Sequence, residues 1–202
     1  MQVVIVGNGQ PDRDYSEAID SHDVVVRINN ATHFSTGLMG RRTDVLFVRS
    51  AANPHGQLIS TDAPKWRIPG QVVDDAKLFM VICSKMVCVD PDTEKPIHDY
   101  RVYLERHACI DNKMLMVLPT IGVASLRREA NLSADPTAGA YAIRWALRAY
   151  PCKITLAGWF WNTCSQHLSH RYDEEQAWIR SLERDNRVSL LLPETDKGVT
   201  TE

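Results

Sequence analysis

Apolar residues along this chain gather in short, nearly continuous runs separated by mixed polar and apolar stretches. Val3 to Val6, Val24 to Ile28, Val45 to Val48, Phe79 to Cys83, Met114 to Leu118, Ile154 to Ala157 and Val188 to Leu192 read as strands. Their near-continuous apolar character fits strands covered on both faces, as in a parallel sheet. Between them, Tyr15 to Ile19, Tyr100 to His107, Gly122 to Asn131, Pro136 to Tyr150 and Glu174 to Arg184 predict helices. Strands alternating with helices point to an α/β sheet with right-handed crossovers. Ala51 to Asp75 is the least regular stretch, broken by Asn53-Pro54, Pro64 and Pro69-Gly70, and reads as a surface excursion beside a site. The polar tail, 194–202, is expected to fray.

Length and composition narrow this picture. A chain of 202 residues with 44% hydrophobic content can bury one proper core, so a single domain over 1–202 is expected. A formal charge of -2 provides no overall basic field, which argues against a nucleic-acid partner bound through phosphate neutralisation. The start, MQVVIVGNG, enters a strand pattern directly, without a basic n-region or a cleavage site, and no apolar run approaches the roughly 20 residues of a membrane span. Cys83, Cys88, Cys109, Cys152 and Cys164 form no CxxC pair and no zinc spacing, and read as reduced thiols. A soluble, cytoplasmic protein is expected.

Four blocks carry candidate chemistry. The first strand ends in Gly7-Asn8-Gly9, where glycines allow a tight turn and close approach of a ligand at the carboxyl edge of the sheet. The dinucleotide fingerprint GxGxxG is incomplete, because Asp12 stands where its third glycine would fall. The second strand exits through Arg27, Asn29 and Asn30; asparagine suits a ribose hydroxyl or a pyrimidine edge, whereas Arg27 suits an internal ion pair with Asp20, Asp23 or Asp44. Asp135-Pro136-Thr137-Ala138-Gly139 opens a helix, with Asp135 at the expected N-cap and free N–H groups that favour an anion. Finally, His167 and His170 lie where a loop leads into the last helix, a place for a general base or for a solvated or capping histidine. The strings Asp12-Arg13-Asp14 and Asp90-Pro91-Asp92 do not sit at convincing strand ends for a metal-bridged diphosphate.

Together these blocks resemble the sialyltransferase family, glycosyltransferase family 29, in a short bacterial-type form. VIVGNG, IDSHDVVVRINNA and Gly40-Arg41-Arg42-Thr43 resemble the long motif of that family almost throughout. Asp135-Pro136-Thr137-Ala138-Gly139 through Trp145-Ala146-Leu147, with Ile154-Thr155-Leu156-Ala157-Gly158-Trp159, resembles its short motif, and His170 with Glu175 fits its very short motif. The middle of the chain, 51–113, is unmatched and is expected to be the variable region where acceptor choice resides. The resemblance implies a Rossmann-like (GT-A-variant), mostly parallel sheet flanked by helices. It implies Gly7, Asn8, Gly9, Asn29, Thr137, Ala138 and Gly139 around a cytidine-monophosphate (CMP) donor, with Arg27 and Glu175 in support. His170, with His167 as the alternative, matches the general base. Secreted members carry a disulfide between the long and short motifs; here Val3 or a neighbour occupies the first position, so Cys152 has no partner there.

The activity implied by the resemblance is inverting, metal-independent transfer of sialic acid or a related acidic sugar from a CMP-sugar to a glycan or glycolipid acceptor, without a cofactor. The motifs report mainly on the nucleotide half, so a CMP-Kdo-type transferase and a non-catalytic nucleotide-binding protein are the alternatives. Because the chain is short, a homo-oligomer could complete the acceptor site.

Overall fold

A computed structural model describes residues 1–29, 31–50, 70–83, 114–118, 120–159 and 171–191. Seven strands, β1 (Val3–Val6), β2 (Val24–Ile28), β3 (Val45–Ser50), β4 (Leu78–Cys83), β5 (Met114–Leu118), β6 (Ile154–Ala157) and β7 (Val188–Leu191), form one sheet. Their order is β5-β4-β3-β2-β1-β6-β7, and every pairing is parallel. All seven apolar runs are therefore strands. The helices are α1 (Ser16–Asp20), α2 (Gly70–Asp75), α3 (Thr120–Glu129), α4 (Ala138–Ala149) and α5 (Tyr172–Arg184), with a 3-10 turn at Phe34–Thr36. The helix α2, which buries Val72, lies inside the stretch expected to be irregular. The expected Tyr100–His107 helix and the 194–202 tail fall outside the described residues.

Both faces of the central strands are covered, which explains why β1 is apolar without a break. Val3 and Ile5 join Val26, Ile28, Val45 and Phe47 beneath Leu126 of α3, Ile143 of α4 and Ile179 and Leu182 of α5. Val4 and Val6 pack on the other side with Val25, Tyr15, Ile19 and Met39. The sheet-facing side of α4 is mostly Ala and Gly, which lets its backbone lie close to the strands. Trp145 of the same helix meets the Phe47 ring edge-on, with centroids 5.4 Å apart. Its largely buried Arg144 and its exposed Arg148 both pair with Glu129 of α3. Full burial of a residue such as Ile143 contributes about 1.5–3 kcal/mol.

The chain builds outward from β1 to β5, then returns through α3 and α4 to lay β6 against the free side of β1. Crossovers leave β1 and β6 in opposite directions, which opens a crevice at their carboxyl ends, the usual ligand position in sheets of this kind.

Candidate functional site at the strand-order reversal

At this crevice the turn after β1 stays zipped to the turn after β6. Gly7 N–H donates to Ala157 C=O at 2.7 Å and Gly9 N–H to Gly158 C=O at 2.9 Å. A Cβ on Gly7 would stand 2.7 Å from the Gly158 carbonyl oxygen, and Gly158 itself has φ +71°. Gly7 and Gly9 thus commit their N–H groups to the end of β6 and the turn after it, and the absent side chain of Gly7 makes room for backbone. That is a different use of glycine from the phosphate cradle of a dinucleotide fold.

Asn8 links this turn to the exit of β2. Its Nδ2 donates to Ile28 C=O at 3.4 Å, and its Oδ1 accepts from Thr32 N–H at 3.1 Å. Two non-glycine residues in that exit hold left-handed backbone, Asn29 at φ 52° and Ala31 at φ 46°. Asn29 N–H is anchored on Phe47 C=O at 2.6 Å, and Ala31 N–H on Ile28 C=O at 3.1 Å. Left-handed backbone costs about 1–2 kcal/mol for a residue such as alanine, so the loop is held against its own preference beside the crevice.

The start of α4 closes the other side. Asp135 is not the N-cap: Thr137 is, with φ -70°, ψ 165° and its Oγ1 accepting from Ala140 N–H at 3.2 Å. The cap falls there because Thr137 has the extended backbone and the hydroxyl that such a position needs, which moves Pro136 outside the helix; Asp135 instead lies 3.8 Å from Arg127. Gly139 is buried, and a Cβ on it would run into the Trp159 ring. The Trp159 indole N–H reaches back to Ile5 C=O at 3.4 Å. This stack of Gly139 on Trp159, one residue beyond Gly158, sets the first turn of α4 at the reversal point.

Glu175 of α5, only 2% exposed, accepts from Thr137 N–H at 2.6 Å and from the Thr137 hydroxyl at 2.8 Å. Its neighbour Glu174 grips Ser133 in the same way, accepting from N–H and hydroxyl at 2.6 Å each, and these bonds hold the Glu174 carboxyl below its usual range. The sequence offered no sign of this pairing, because each partner is a common surface residue about forty positions away in the chain.

Arg27 takes a structural role different from the ion pair expected of it. It lies on the α1 face, 1% exposed, and donates to the carbonyls of Met39 (2.9 Å) and Arg42 (3.0 Å) and to the Thr43 hydroxyl (3.1 Å), with the Phe34 ring 5.0 Å away. Burial lowers its pKa to about 10, which leaves it charged at neutral pH, supported by the fields of Asp20 and Asp75. The three candidate carboxylates are engaged elsewhere. Asp20 accepts from the N–H groups of Arg41 and Arg42, Asp23 lies by the N-terminus, and Asp44 binds Arg42 and Lys77. Asp20 can approach that turn because Gly40, at φ +73°, has no Cβ to collide with it. In Asp12-Arg13-Asp14, Asp12 accepts from the Tyr15 hydroxyl and Asp14 from Ser16 N–H at the start of α1.

The structure therefore brings Gly7, Asn8, Gly9, Asn29, Thr137, Ala138 and Gly139 to one edge of the sheet, with Glu175 behind them and Arg27 on the opposite face. Asn30, His167, His170 and Asp90-Pro91-Asp92 lie outside the described residues. Among the described residues no cluster of His, Cys, Asp or Glu could hold a metal ion, and no helix is long and apolar enough to cross a membrane. Cys152 is a free, half-buried thiol, and Val3 pairs with Ile154 in the ladder two residues further on.

Sheet order and the helices that flank it define a Rossmann-like α/β fold whose strand order reverses between β1 and β6. Solved structures with this fold include a mammalian sialyltransferase, at TM-score 0.61 and 15% identity over 94% of this chain and 68% of that one. The same enzyme type in complex with Gal-beta-1-3GalNAc-ortho-nitrophenol matches at TM-score 0.61 and 16% identity, with the same coverage. The sialyltransferase CstII from Campylobacter jejuni, in complex with the substrate analogue CMP-3FNeuAc, matches at TM-score 0.56 and 14% identity over 96% of this chain and 83% of that one. No protein-family model and no curated protein matches the chain. At these identities the likeness establishes the fold.

Proposed function

We propose that this chain is a glycosyltransferase that moves sialic acid or a related acidic sugar from a CMP-sugar donor to a glycan hydroxyl, with inversion and without a metal. The observation that carries the reading is the meeting of Asn8, the left-handed Asn29 exit and the first turn of α4 at the β1/β6 reversal, in the fold shared with a CstII complex of CMP-3FNeuAc. In this reading Asn29 addresses the nucleoside and the first turn of α4 faces the phosphate, where the helix dipole stabilises charge on departing CMP. His170, with His167 as the alternative, takes the proton from the acceptor hydroxyl as that oxygen attacks the anomeric carbon and the bond to CMP breaks.

Calorimetric binding of CMP, compared with UMP, GMP and NAD in EDTA, tests the donor half. Selective CMP binding that is lost in Asn29→Ala and kept in His170→Ala is expected, with transfer from CMP-sialic acid abolished in His170→Ala. A wild-type chain that ignores CMP, or binds it only with added metal, overturns the reading. CMP binding without transfer of sialic acid or Kdo in any protein identifies a non-catalytic binder.

A further inference from the structure

The structure assigns Glu175 as a positioning residue for the donor phosphate: its buried carboxylate fixes the N-cap of α4 and so the N–H groups that the leaving nucleotide would meet. This role rests on the donor site proposed above. Glu175 and Glu174 are consecutive and make the same two-point grip, one on Thr137 and one on Ser133, so the first turn of α5 straps down the segment that leads into α4. Arg127 adds a third hold, donating to Ser133 C=O at 2.6 Å. The two grips differ in burial: Glu175 is 2% exposed, whereas the Glu174 side chain is 24% exposed.

A buried carboxylate that accepts from both N–H and hydroxyl fixes the rotation of Thr137 as well as its position. The Thr137 hydroxyl is then set to accept from Ala140 N–H at 3.2 Å. With those groups taken, the first-turn amides of Ala138 and Gly139 are held in one orientation by the α5 grip on one side and the Gly139–Trp159 stack on the other. An amide in Glu175→Gln cannot accept from both donors with both of its groups, because its NH2 end is itself a donor. The helix start is then free to shift although its sequence is unchanged.

The test compares CMP affinity and melting temperature for wild type, Glu175→Gln, Glu174→Gln and Ile179→Val. Ile179 is a fully buried residue of the same helix, outside the grip, and its truncation reports what loss of stability alone does. Glu175→Gln is expected to weaken CMP binding about tenfold or more, as loss of a charge-assisted hydrogen bond would. Glu174→Gln and Ile179→Val are expected to stay within about twofold at this scale. If Glu175→Gln binds CMP like wild type, or if Ile179→Val loses as much affinity at an equal fall in melting temperature, Glu175 only stabilises the fold and the inference is overturned. Failure of the wild type to bind CMP overturns the donor site itself and the positioning role with it.

Discussion

Gly7 and Gly158 face each other across the β1/β6 reversal so closely that neither position has room for a Cβ. One added to Gly158 would lie 2.9 Å from the Gly7 carbonyl oxygen and 2.9 Å from Met39 Cε, and one added to Gly7 would lie 2.7 Å from the Gly158 carbonyl oxygen. Backbone on backbone cannot yield as a flexible side chain does. Gly7→Ala and Gly158→Ala are each expected to lose about 2–4 kcal/mol, with Gly158→Ala the worse because φ +71° adds its own strain. Gly122→Ala is the control, since a Cβ there meets no described atom within 4 Å, and replacing glycine within a helix is worth up to about 1 kcal/mol. Urea unfolding of the three variants measures the contrast.

Left-handed backbone at the β2 exit leads to the opposite expectation for a glycine. Ala31→Gly removes the strain at φ 46° but also a buried methyl, so its stability is expected to stay level or rise by up to about 1 kcal/mol, where an ordinary buried alanine would lose. Asn8→Ala, which lets go of Ile28 C=O and Thr32 N–H, is expected to weaken CMP binding more than it lowers the melting temperature. Calorimetry and thermal melts on both variants check this.

These features explain how much of the molecule was legible in its sequence. The central strands were readable because a strand buried on both faces must be apolar without a break, as β1 is; the edge strand β5 is as apolar although it leaves Met114 and Met116 exposed. The gathering of Gly7, Asn8, Asn29 and Thr137 at one edge followed from their places at strand exits and a helix start. The glycines' own reasons were hidden: Gly7 faces Gly158, Gly139 faces Trp159 and Gly40 faces Asp20, each a partner set by sheet order and invisible in local spacing. Asp135 and Thr137 are both good caps by residue type; Thr137 takes the position with its extended backbone, and its N–H and hydroxyl are held by Glu175 of a different helix, which no local spacing reveals. Arg27 likewise drew its partners from main-chain carbonyls, which carry no sequence signal.

Acid should loosen the strap between α5 and the lead into α4. The Glu174 carboxyl is lowered from 4.5, first by the Ser133 hydroxyl, then by Ser133 N–H. A carboxyl whose folded value lies below its unfolded value contributes stability that is fully present above the unfolded value and is lost as pH falls through the folded one. Melting temperature is therefore expected to fall in the acid range below about pH 4.5, more steeply for wild type than for Glu174→Gln. Parallel acid limbs in the two proteins would show that Glu174 has no part in the loss.

Arg27 offers the sharpest separation of fold from site. Its guanidinium holds the 39–43 turn through Met39 C=O, Arg42 C=O and the Thr43 hydroxyl, using directions that a lysine ammonium on a single stem cannot match together. Arg27→Lys is expected to cost about 2–4 kcal/mol, since a buried charge remains with fewer partners. Arg27→Met removes the charge but leaves those carbonyls without their donor, so it too should destabilise, by about 1–3 kcal/mol. Because Arg27 lies on the face opposite α4, the folded fraction of either variant is expected to bind CMP with near wild-type affinity. Calorimetry at low temperature, scaled to the folded fraction from circular dichroism, separates the two effects. A large affinity loss in fully folded Arg27→Met would place this residue in the donor site after all.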